Sequence, residues 1–97
     1  MTRTSKTRIR QLFNASQYPA MIQNGKLEVE ALRDSHLKRK HHGEEPCTRS
    51  QTLRFKDAEG RWIVEVHQYL RQDGTIGASG QPDPKRMRHE GRILLAK

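Results

Sequence analysis

From Thr52 to Arg71 the chain alternates between apolar and polar residues more regularly than anywhere else. Thr52-Leu53-Arg54-Phe55 has strand periodicity, Lys56-Asp57-Ala58-Glu59-Gly60 has turn composition, and Arg61-Trp62-Ile63-Val64-Glu65-Val66-His67-Gln68-Tyr69-Leu70-Arg71 is rich in β-branched and aromatic residues. This pattern predicts a β-hairpin. Side chains of a strand alternate between the two faces of a sheet. Trp62, Val64, Val66, Gln68 and Leu70 therefore share one face, assigned here to the core, and Ile63, Glu65, His67 and Tyr69 share the other.

Elsewhere the pattern is weaker. Ile9, Leu12 and Phe13 recur at helical spacing and predict a helix over residues 6–14. Tyr18 to Ile22 is an apolar run followed by Asn24-Gly25, a strong hairpin-turn signal. Leu27, Val29 and Ala31 alternate with Glu28 and Glu30 and read as extended, whereas the helix-forming composition of residues 31–40 predicts a short helix ended by Gly43. Residues 43–50 read as a loop. Gln72-Asp73-Gly74 predicts a tight reversal with Gly74 at positive φ. Pro82 and Pro84 argue against a central strand there, and residues 85–89 and 92–96, flanking Glu90-Gly91, predict a last hairpin. The fold class expected is α+β, mainly antiparallel hairpins with one or two short helices. A flexible basic arm over residues 1–7 precedes a single small domain over residues 8–97.

Composition sharpens this picture. Of 97 residues, 32% are hydrophobic and 31% charged, which allows one thin core. The formal net charge is +8, with a pI of about 10.3. Residues 1–42 carry nine Lys or Arg against three acids, a net of +6, whereas residues 43–97 are nearly balanced at +2. Clustered like charge costs repulsion unless an anion relieves it, so a polyanionic partner is expected. The single cysteine, Cys47, forms no internal disulfide, and no apolar run reaches the roughly 18 residues of a membrane span. A cytoplasmic location without membrane association follows as an expectation.

Candidate chemistry is sparse. Gly74, Gly77 and Gly80 lack the strand-to-helix context and lysine of a phosphate-binding loop and read as turns. His36, His41, His42 and Cys47 have metal-ligating side chains, but one thiol and no pair of close ligand pairs give no structural zinc pattern. Cys47 with His41 or His42, Ser79 with Asp73 or Asp83, and His67 with Glu65 are pairs of the kind any small chain offers, so no catalytic, metal or cofactor site and no small-molecule substrate is assigned. The expected function is non-enzymatic contact with nucleic acid, DNA or RNA, through phosphate-directed cations: Arg3, Lys6, Arg8, Arg10, Lys38, Arg39 and Lys40, joined by Lys85, Arg86, Arg88 and Arg92. Trp62 and Tyr69 are the candidate aromatic anchors. The alternative is a protein-interaction module or inhibitor, of the kind a virus or mobile element carries, docking through the same charges and a strand edge on an acidic or nucleic-acid-binding surface.

Overall fold

The hairpin written into residues 52–71 is the centre of the molecule. The computed structural model describes residues 1–97 as β1 (Thr2–Thr4), α1 (Lys6–Ala15), α2 (Tyr18–Gln23), β2 (Glu28–His36), β3 (Arg49–Lys56), β4 (Trp62–Leu70), β5 (Asp83–His89) and β6 (Arg92–Ala96). The six strands form one sheet in the order β1-β6-β5-β4-β3-β2. All neighbours are antiparallel except β1, which runs parallel to β6.

Both helices lie on one face of this sheet. In α1 the side chain of Ser5 caps the first turn by accepting the Arg8 N–H at 3.0 Å, and Ile9 and Phe13, four residues apart, turn the same buried face to the sheet. They meet Phe55, Val64, Val66, Met87 and Leu94 in a nine-residue core completed by Leu27 and Ile63. α2 has Pro19 in its first turn and is tied to β5 by the Tyr18 hydroxyl, which donates to the Arg88 carbonyl at 2.8 Å. The hairpin signal Asn24-Gly25 is used otherwise: Gly25, at φ +67°, follows the helix end and donates to the Ile22 carbonyl at 3.2 Å.

Four expectations are corrected. The N-terminal arm is not seen, since Thr2–Thr4 pair with Leu94, Leu95 and Ala96, a backbone ladder that needs no apolar side chains. No helix forms over residues 31–40. That segment continues β2, in register with β3 from Glu28 opposite Lys56 to His36 opposite Arg49, and the ladder with its opposed charges overrides a weak helical propensity. Pro84 sits inside the interior strand β5, next to a register irregularity between Glu65 and Val66. A proline is tolerated there because the bulge and the nearby strand start relieve the missing N–H. Finally, Trp62 is not in the core. Phe55 pairs with Val64 but Lys56 pairs with Trp62, so Ile63 is an extra, buried residue and the alternation slips by one.

Candidate functional site

The bulge at Ile63 places the one tryptophan on the sheet face that neither helix covers. There the guanidinium of Arg54 lies 5.9 Å from the Trp62 ring centroid and that of Arg88 lies 5.6 Å from it. Arg88 is held in place by its Nε, which donates to the Trp62 carbonyl at 2.9 Å. Cations over an aromatic face are attracted by its quadrupole, so the three side chains form one preorganised patch.

Strand register builds the rest of this face. Arg54 pairs with Glu65, Glu65 with Arg86, and Glu30 with Arg54, so these residues stand in one row opposite the core row. Glu65 lies between two arginines, 3.5 Å from Arg54 and 3.9 Å from Arg86, and Lys56 lies 3.9 Å from Glu30. One carboxylate shared by two guanidiniums leaves donors and positive charge free. Arg33, opposite Thr52, and Arg3, opposite Leu95 in the row of Arg86, extend the patch toward the two sheet edges.

The other end of the face is aromatic. The His67 and Tyr69 rings meet edge to face with centroids 4.8 Å apart, and His42 from the β2–β3 loop stands 6.5 Å from Tyr69. His67 Nε2 shares a 2.9 Å hydrogen bond with Ser50 Oγ. Burial holds its pKa below the ordinary histidine value, and Lys85 and His42 push the same way against Asp83. At neutral pH this is an uncharged ring.

The sequence-derived cations are thereby divided. Arg86 and Arg88 belong to the face, with Arg3 at its border. Arg10 and Lys85 are both committed to Asp83, at 2.8 and 2.9 Å. Lys38, Arg39 and Lys40 are exposed in the β2–β3 loop, where Lys40 approaches Glu45 at 3.6 Å. Arg8 and Arg92 line a shallow depression beside β1, and Lys6 is exposed at the start of α1. Arg33, Arg54 and Lys56 were not singled out from the sequence. The alternation of residues 52–55 puts Arg54 opposite the core, whereas Lys56 reads as a turn residue, and the place of both beside Trp62 depends on the bulge.

The glycine-rich connection between β4 and β5 is structural. Gly74 turns at φ +87°, and its N–H donates to the Arg71 carbonyl at 2.9 Å. Gly77 serves a different need, because a Cβ there would overlap the Glu44 carboxylate. Glu44 is only 3% exposed. It accepts from Arg71 Nε at 2.9 Å, Arg71 Nη2 at 3.2 Å and the Ala78 N–H at 3.0 Å, and these bonds hold its pKa below the usual glutamate value. The buried carboxylate clamps the β2–β3 loop to the β4–β5 connection.

His36 and Cys47 line one surface depression, but no three His, Cys, Asp or Glu side chains gather in a way that would hold a metal ion. No helix is long and apolar enough to cross a membrane. No protein-family model, curated protein or solved structure matches the chain.

Proposed function

We propose that this protein binds single-stranded nucleic acid, without catalysis, on the helix-free face of its sheet. The observation that carries the reading is Trp62 between Arg54 and Arg88 on a face no helix covers. Guanidiniums neutralise phosphates, and flat rings at sheet spacing stack unpaired bases. Arg54, Arg86 and Arg88 serve the backbone in this reading, Trp62, His67 and Tyr69 serve the bases, and Lys38, Arg39 and Lys40 add diffuse attraction from the loop. The net charge of +8 supports approach to a polyanion.

The test is the salt dependence of affinity for a labelled single-stranded oligonucleotide. Each phosphate contact to a single strand contributes about 0.7 to the slope of log affinity against log salt, so Arg86→Gln with Arg88→Gln lowers it by about 1.4. An unchanged slope in that double variant, or no binding at low salt, overturns the proposal.

A second reading has its own observation. β2 is a free sheet edge whose nine residues are all exposed, with Val29 and Leu32 exposed by 54% and 43%. Such an edge accepts a partner protein's strand, although its charges and its irregularity between Ala31 and Arg33 are features that blunt edges against pairing. A partner that survives nuclease treatment and is lost with Val29→Lys supports this reading over the first.

A further inference from the structure

β5 begins at Asp83, opposite His67, so the end of β4 beyond that point has no β5 partner. The 77–82 segment swings past it instead, pinned where the Gly77 N–H donates to the Tyr69 carbonyl at 2.8 Å. Between them lies a cleft of about 290 Å³, closed on its third side by Arg10 and Asn14 of α1. It is at the small end of the range of small-molecule sites, roughly 300–1,000 Å³. Polar side chains line it beside the non-polar Ala78, Pro82 and Pro84, and His67 and Tyr69 belong both to its rim and to the helix-free face.

One side chain in the cleft has its polarity fixed from a distance. Asp34, ionised and paired with Arg49, only accepts hydrogen bonds. Gln51, which is buried, must therefore turn its amide nitrogen to Asp34, at 3.2 Å, and its oxygen toward Gln68. Gln68 in turn gives its nitrogen to that oxygen at 2.8 Å and is left with a free carbonyl oxygen. Arg10 uses Nε on Asp83, leaving its Nη donors. Gln68 and Arg10 both line the cleft, which thus carries an acceptor of fixed identity and the remaining Arg10 donors, beside the Asp83 carboxylate.

Resting on the proposed single-strand reading of the sheet face, we infer that this cleft takes one nucleobase of the bound strand and prefers cytosine or adenine to uracil or thymine. Cytosine and adenine present an amino donor beside a ring acceptor, which matches the Gln68 oxygen and the Arg10 nitrogens. Uracil and thymine have a carbonyl where that amine would be and a ring N3–H where the ring acceptor would be, so the same pose reverses both contacts, and pairing with the Gln68 oxygen requires the ring to shift. A mismatch of that kind is worth about tenfold in affinity. Asp34 is a positioning residue: it sets the direction of the Gln51–Gln68 relay without touching the base.

The experiment is an NMR titration of the full chain with cytidine, adenosine and uridine, nucleosides that carry no phosphate. The expected result is saturable shifts of the Gln68 side-chain amide and of residues 77–82 with cytidine or adenosine, about tenfold weaker with uridine. In Asp34→Asn, whose amide accepts or donates, Gln68 is free to flip and the preference falls severalfold while binding persists. Asn14→Ala, exposed in the cleft wall, keeps the fold and tests contact directly by weakening cytidine binding. Equal binding of uridine, or no saturable shift up to the nucleosides' solubility, overturns the inference. Oligonucleotide binding without nucleoside shifts sinks the cleft and leaves the sheet face standing, whereas nucleoside binding without oligonucleotide binding at low salt does the reverse.

Discussion

At the scale of single residues, Gly77 and Glu44 show how a glycine can be required by space instead of by backbone angle. Gly80, at φ +82°, has nothing within contact distance of an added Cβ, whereas Gly77 abuts a buried carboxylate. Gly80→Ala should cost about 1–2 kcal/mol of left-handed strain. Gly77→Ala should cost more, because relief of the overlap requires Glu44 to leave Arg71 and the Ala78 N–H. Denaturant midpoints compare the two directly. Glu44 also gives a pH signature. Its folded pKa is lowered, so its contribution is fully present above the unfolded glutamate value of about 4.3 and is lost as pH falls below it. Glu44→Gln should lower the melting temperature at pH 7, and the gap to the parent protein should narrow as the medium is acidified. None of this was legible in the sequence. Gly77 read there as a turn residue, because its neighbour lies more than thirty positions away.

At the scale of elements, the reading succeeded where side-chain period and backbone pairing agree. The helix over residues 6–14, the central hairpin and the last hairpin all emerge from local spacing, and Ile9 and Phe13 do face the core as that spacing implies. Phe13→Ala should therefore destabilise by about 3–5 kcal/mol, a large share of the few kcal/mol such a small domain has, readable as a fall in the chemical denaturation midpoint. The reading failed where partners far along the chain decide. β2 has helix-forming composition but lies beside β3, and Thr2–Thr4 have no apolar residue yet complete a parallel ladder with β6. The bulge at Ile63 is the most consequential miss, because one inserted residue carries Trp62 from the core face to the open face. A strand's period is visible in sequence, but the place where its partner skips a residue is not.

At the scale of the whole molecule, helices on one side only leave the other side of the sheet bare, and Trp62 and Tyr69, the proposed aromatic anchors, stand there with a subset of the cations. The clusters that stood out along the sequence, residues 3–10 and 38–40, prove peripheral to this face, whereas Arg54 and Lys56, dispersed in an alternating strand, are brought beside Trp62 and Arg88 by pairing. Replacing Lys38, Arg39 and Lys40 together by Gln should therefore lower the salt slope of oligonucleotide binding without disturbing the aromatic contacts. Because Trp62 is the one tryptophan of the chain, its fluorescence reports on the proposed face alone. The decisive measurement is a titration of that fluorescence with a single-stranded oligonucleotide at low salt, run beside anisotropy of the labelled strand. Saturable quenching with the same midpoint as the anisotropy is expected. Binding seen by anisotropy while Trp62 emission stays unchanged would contradict it.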